Sequence, residues 1–198
     1  MNLLKQILNI FFPITCAGCG LSLLQNERSI CTSCRHRLPL TYHHLTNYNI
    51  AMDKFYGRLP LEYISAMLYF YKEGITQHII HHLKYRNRQE LGTILGYWYG
   101  LTILEFLKNI DIIVPVPIHK KRYRSRGYNQ VTTFCEAISE CINVPINNEL
   151  LFRKTDLSSQ TKKSLSRRTD FSSDIFEVSF SQKDHEKHYQ KRQEDSNR

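Results

Sequence analysis

The chain has 198 residues, 41% of them hydrophobic and 12% aromatic, a balance that allows a packed core and excludes global disorder. With 27 Lys/Arg against 18 Asp/Glu its formal charge is +9, which favours anionic partners such as nucleic acid, nucleotides or acidic lipid. No apolar run reaches the roughly 20 residues that a membrane-spanning helix needs, and the expected location is cytoplasmic.

The chain opens "MNLLKQILNIFFPIT", where Leu3, Leu4, Ile7, Leu8, Ile10 and Phe11 fall at helical spacing with no small-residue cleavage site after them. A short amphipathic helix is expected there, packed on the segment that follows, rather than a signal peptide. Cys16, Cys19, Cys31 and Cys34 then form C-x2-C-x11-C-x2-C. Each C-x2-C turn directs two sulfurs at one point, and two such turns enclose a tetrahedral metal ion. Disulfides or free thiols are the alternatives, but residues 1–38 offer little other core, which favours a structural zinc. Gly18 and Gly20 are expected to supply the left-handed backbone such knuckles use. Cys135 and Cys141 lie far off in a helical pattern and are read as small buried hydrophobes.

A polar, aromatic-rich linker is expected over 39–60, and an α/β domain over 61–178. "YISAMLYFY" reads as a strand and "GITQHIIHHLKY" as a helix with Ile75, Ile79, Ile80 and Leu83 on one face. "ELGTILGYWYGLTILEFL" reads as a second helix facing inward through Leu91, Ile94, Leu95, Trp98, Leu101 and Leu104. "IDIIVPVP" has the unbroken apolar character of a central parallel strand. "RGYNQVTTFCEAISECI" is again helical, and "NELLFRK" is a short strand. Strand–helix alternation of this kind implies a doubly wound parallel sheet.

Charge concentrates in the second half: residues 111–168 hold eleven Lys/Arg against five Asp/Glu. Lys120, Lys121, Arg122, Arg124 and Arg126 follow the "VPVP" strand directly, where an α/β sheet presents anion sites at helix N-termini. A basic loop entering a helix near Gly127 is expected, with Asn129 and Gln130 as neutral donors in its first turn. "RKTDLSSQTKKSLSRR" adds a second basic segment containing Gln160, Arg167 and Arg168. Solvated surface charge is the alternative for both.

The four-cysteine knuckle, "YFYKEGITQHIIHHLKY", "VPVPIHKKRYRSRGYNQ" and "RKTDLSSQTKKSLSRRTDFSSDIFEV" together resemble the ComF family of competence and DNA-uptake proteins, over about residues 10–178. The RGYNQ and Q-x4-L-x2-R segments make the resemblance specific. It implies a type I phosphoribosyltransferase-like fold with the loop after "VPVP" as the pyrophosphate region. It also implies phosphoribosyl pyrophosphate (PRPP) and Mg²⁺ as ligands, single-stranded DNA as a partner, and a helicase-type competence protein alongside. The family's ribose-phosphate loop, a hydrophobic run with Asp-Asp followed by Thr-Thr-Gly, has no counterpart in these residues. After Phe180 the chain is "SQKDHEKHYQKRQEDSNR", expected to be a disordered polar tail over 179–198. The expected fold is therefore a parallel sheet incomplete at the C-terminus. The expected function is binding of phosphate-bearing ligands without transfer chemistry. The alternatives are a working phosphoribosyltransferase, or a truncated or frame-shifted copy with no activity.

Overall fold

The computed structural model of the chain describes residues 13–46, 48–57, 59–107, 110–154 and 175–179. The expected N-terminal helix over residues 1–12, the candidate binding residues Gln160, Arg167 and Arg168, and the polar tail beyond residue 179 lie outside the described residues.

Among the described residues the fold is a mixed one, with a four-cysteine knuckle packed against helices and one small two-stranded sheet. Helix α1 (Thr32–His36) belongs to the knuckle, and a 3-10 turn (His43–Leu45) and α2 (Ile50–Asp53) follow in the connector. Then come α3 (Ile75–Tyr85), α4 (Glu90–Ile103), α5 (Lys120–Arg126) and α6 (Thr132–Ile142). Strands β1 (Leu151–Arg153) and β2 (Phe176–Val178) pair antiparallel, with Leu151 opposite Val178 and Arg153 opposite Phe176.

Of the segments expected to be strands, "NELLFRK" supplies β1, whereas "YISAMLYFY" and "IDIIVPVP" each make a single bridge. Residues 63–71 lie against the start of the connector: Leu40 bridges Leu68 antiparallel, Thr41 N–H donates to Met67 O (3.1 Å) and Tyr69 N–H to Pro39 O (2.8 Å). The expected linker is thus hydrogen-bonded to the first segment after it. In "IDIIVPVP", Ile113 bridges Ile146 in parallel, through Ile113 N–H to Pro145 O and Asn147 N–H to Ile113 O, both 2.9 Å. Pro115 and Pro117 have no N–H to extend that ladder.

Helix α4 follows its apolar pattern in part: Leu91 and Leu95 are buried as expected, but the inward face differs toward its C-terminal end. The pattern points Leu101 and Leu104 inward, yet they are 66% and 43% exposed, while Gly92, Gly96, Tyr99 and Gly100 are buried. The three glycines recur every four residues and form a flat strip on which α6 lies. A Cβ at Gly96 would stand 2.5 Å from Phe134 O and 2.7 Å from the Ala137 Cβ. Backbone contact this close seats the glycine strip on α6 beside the buried Leu91 and Leu95, because dispersion gains accumulate across two helices packed without intervening side chains. Tyr99 stacks on Phe134 with ring centroids 6.2 Å apart.

One core cluster runs from the knuckle into the helices: Cys16, Ala17, Ile30, Cys34 and Leu38 pack with Ile79 of α3 and with Leu91 and Leu95 of α4. A second, smaller cluster gathers Tyr99, Ile103 and Ile138.

Candidate metal centre and cation cleft

Two reversing turns and one short helix build the knuckle. Cys16 N–H donates to Leu21 O (2.8 Å) and Gly20 N–H to Cys16 O (2.9 Å), closing the first turn. Gly20 has φ +77°, the left-handed value expected of it, whereas Gly18 has no positive φ. Gly18 matters for space instead, since a Cβ there would meet Cys34 Sγ at 2.9 Å. In the second turn Cys31 caps α1, its sulfur accepting from Cys34 N–H at 3.4 Å. Glu27 accepts from Thr32 N–H (2.7 Å) and Leu24 N–H (3.0 Å), which ties the loop to the helix and lowers the carboxyl pKa.

These turns bring the sulfurs of Cys16, Cys19, Cys31 and Cys34 within 4.8 Å of one another. Cys19 and Cys31 Sγ are 3.8 Å apart, too far for a disulfide, and all six cysteines are free. With Zn–S bonds of about 2.3 Å, the edge of an S4 tetrahedron is about 3.8 Å. The cluster is therefore able to hold a metal ion such as zinc. Burial raises the Cys16 thiol pKa, but amides of Cys31, Cys19 and Gly18 donate to its sulfur and bring it down to about 6. Cys34 is pushed upward, first by burial and then by the neighbouring sulfurs. Sulfurs this close ionise together only with a cation between them.

The basic stretch is a helix and not a loop. Lys and Arg are good helix formers, His119 Nδ1 accepts from Lys121 N–H (3.3 Å) as the N-cap, and Gly127 (φ +84°) ends the helix in the left-handed conformation. Gly127 thus terminates α5 and does not open the next helix, which starts at Thr132. Arg124 and Arg126 lie in the last turn, where the helix dipole favours them.

Only part of this charge converges. Arg122 and Arg126 of α5 face Lys84 and Tyr85 at the end of α3 across a cleft of about 470 Å³, which Ser125 and Tyr128 also line. Arg126 sits over the Tyr85 ring at 5.8 Å and donates to Gln130 Oε1. Tyr128 is buried and its hydroxyl donates to Leu83 O, fixing α3 beside the α5–α6 turn. Among the described residues no carboxylate lines the cleft. The Lys84 pKa is lowered, first by burial and then by the charges of Arg126 and Arg122.

Lys120, Lys121 and Arg124 are exposed and do not line this cleft. Asn129 and Gln130 are engaged within the fold: Asn129 Nδ2–H donates to Val116 O (3.0 Å), and Gln130 accepts from Arg126. Lys84 is the cleft residue that sequence reasoning passed over. Its only signal is the run "KYRNR" at the end of a helical pattern, and a helix end gives no sign of which charges will meet it.

Among the described residues no helix is long and apolar enough to cross a membrane. Comparison of the chain with protein-family models, curated proteins and solved structures finds no match in any of the three.

Proposed function

We propose that the chain is a ComF-like protein of natural competence. It binds phosphate-bearing ligands, single-stranded DNA foremost or a pyrophosphate group, beside a helicase-type partner, with a structural zinc in its knuckle. The observation that carries this reading is the convergence of Lys84, Arg122 and Arg126 on one cleft beside the Tyr85 and Tyr128 rings. Three cations held together raise one another's free energy, and a polyanion lowers it while releasing its own counterions. Tyr85 and Tyr123, 68% and 53% exposed, offer ring faces on which unpaired bases stack. The parallel bridge of Ile113 with Ile146 supports an incomplete phosphoribosyltransferase-like parallel sheet as the scaffold. These 198 residues contain neither Asp-Asp nor Thr-Thr-Gly, so the proposal covers binding and not phosphoribosyl transfer.

Fluorescence anisotropy of a labelled oligothymidylate, titrated with the full chain over a range of salt, tests the reading. Each phosphate contact to a single strand contributes about 0.7 to the slope of log K against log[salt]. The triple variant Lys84→Ala/Arg122→Ala/Arg126→Ala is expected to bind more weakly and to flatten that slope by roughly 2. An unchanged slope defeats the proposal.

A further inference from the structure

A second cleft shares no lining residue with the cation cleft. It lies between α1, the start of the connector and one side of α4, and encloses about 360 Å³, within the range of about 300–1,000 Å³ typical of small-molecule sites. Leu38, Leu40, Met67 and Leu101 make its walls apolar. Trp98, the chain's single tryptophan, contributes its indole. The guanidinium carbon of Arg35 stands 4.5 Å over that ring.

The polar groups divide into spent and available. Tyr99 hydroxyl is hydrogen-bonded to Ser65, and Thr102 hydroxyl donates to Trp98 O at 2.7 Å. Arg35 and Tyr42 are exposed, His44 is half-buried, and no acidic side chain lines the cleft or pairs with Arg35 among the described residues. A ligand suited to this lining is flat and apolar-faced for the walls and the indole, with a negative charge for the guanidinium. Arg35 is also well placed to wait for it. Its helix is anchored by Cys31 at the cap and by Cys34 in the core, so the metal knuckle holds the cation above the ring.

We propose that this cleft binds a planar heteroaromatic anion, a nucleotide whose base lies against Trp98 and whose phosphate meets Arg35. The site is separate from the cation cleft and stands or falls independently of it.

Trp98 is its own reporter, because no other tryptophan contributes to the emission. Titrating the full chain with dAMP is expected to give saturable quenching of that fluorescence, while deoxyribose 5-phosphate, which has no base, gives none at the same concentrations. Arg35→Ala is expected to weaken dAMP by roughly threefold to tenfold, through loss of the cation–π platform and the charge. Tyr42→Ala, at a 56% exposed position, provides a second variant that leaves the core intact. It is expected to weaken dAMP by roughly threefold or more through loss of ring contact at the rim. Arg122→Ala/Arg126→Ala is expected to leave the quenching unchanged, which separates this site from the cation cleft. Absent quenching at millimolar dAMP, equal quenching by deoxyribose 5-phosphate, or unaltered affinity in both Arg35→Ala and Tyr42→Ala overturns the proposal.

Discussion

Lys84 shows why a basic cluster deserves a functional explanation. Burial and the two arginines hold its pKa below the ordinary lysine value of 10.5, so its charged form is disfavoured by folding. The unfolded chain binds this proton more tightly, and stability therefore rises with pH from the folded pKa up to about 10.5. Below the folded pKa the full cost is present. Lys84→Gln removes the charge and keeps part of the stem, and is expected to stabilise the anion-free protein at pH 7. The gain is a few tenths of a kcal/mol or so, because solvent screens a half-buried group. Inorganic pyrophosphate is expected to raise the melting temperature of the wild type more than that of the variant. Thermal melts with and without pyrophosphate measure both effects. A variant less stable than the wild type without the anion would mean that Lys84 is held for packing rather than for binding.

Between elements, the decisive contact is α4 on α6, and two opposing terms meet at Gly96. Alanine is the better helix former by about 1 kcal/mol. Its methyl would also stand 2.5 Å from Phe134 O and 2.7 Å from Ala137, and overpacking of this kind costs roughly 1–3 kcal/mol. The second term is set by backbone atoms that cannot rotate away, so Gly96→Ala is expected to destabilise by up to about 2 kcal/mol in urea unfolding; a stabilised variant would show that the helices are not in contact there. The same contact explains what the sequence hid. The four cysteines were legible because their spacing is itself the chemistry of the site. Helix α4 was legible as a helix and in its buried Leu91 and Leu95, but not in the glycine strip beside them, because an apolar-periodicity reading weights leucines and ignores the glycines that set the approach of α6. The 120–126 stretch read as a loop because charge runs suggest solvent, although Lys and Arg between a His cap and Gly127 suit a helix well. Lys84 was illegible for a different reason: the cleft joins α3 to α5, elements distant in sequence, and only packing brings their charges together.

For the molecule as a whole, the knuckle is a part of the core and not an appendage to it. Besides the shared apolar cluster, three hydrogen bonds cross from it to the helical part among the described residues. His78 Nδ1–H donates to Gly18 O (2.8 Å), Arg88 Nη1–H to Thr15 O (2.8 Å), and Ser29 Oγ–H to Glu90 Oε1 (3.2 Å). Arg88 also pairs with Glu90 at 2.8 Å, so the last two of these bonds belong to one network at the start of α4. Cys16 and Cys34 are 0% exposed and touch the same cluster as Ile79 and Leu91. If the knuckle holds a metal, as proposed, losing it would leave buried sulfurs without their cation and remove binding free energy that, in small zinc modules, is about 10 kcal/mol or more. That exceeds the whole stability of most domains, roughly 5–15 kcal/mol, at its lower end and is a large share of it at the upper. Cys34→Ser, or prolonged chelation of the wild type, is therefore expected to unfold α3 and α4 along with the knuckle. One metal ion per chain before treatment, followed by parallel loss of metal and far-ultraviolet helical signal, is the result anticipated from metal analysis and circular dichroism. Helical signal that survives complete metal loss would instead make the knuckle an independent unit, and the shared core would then be too weak to couple them.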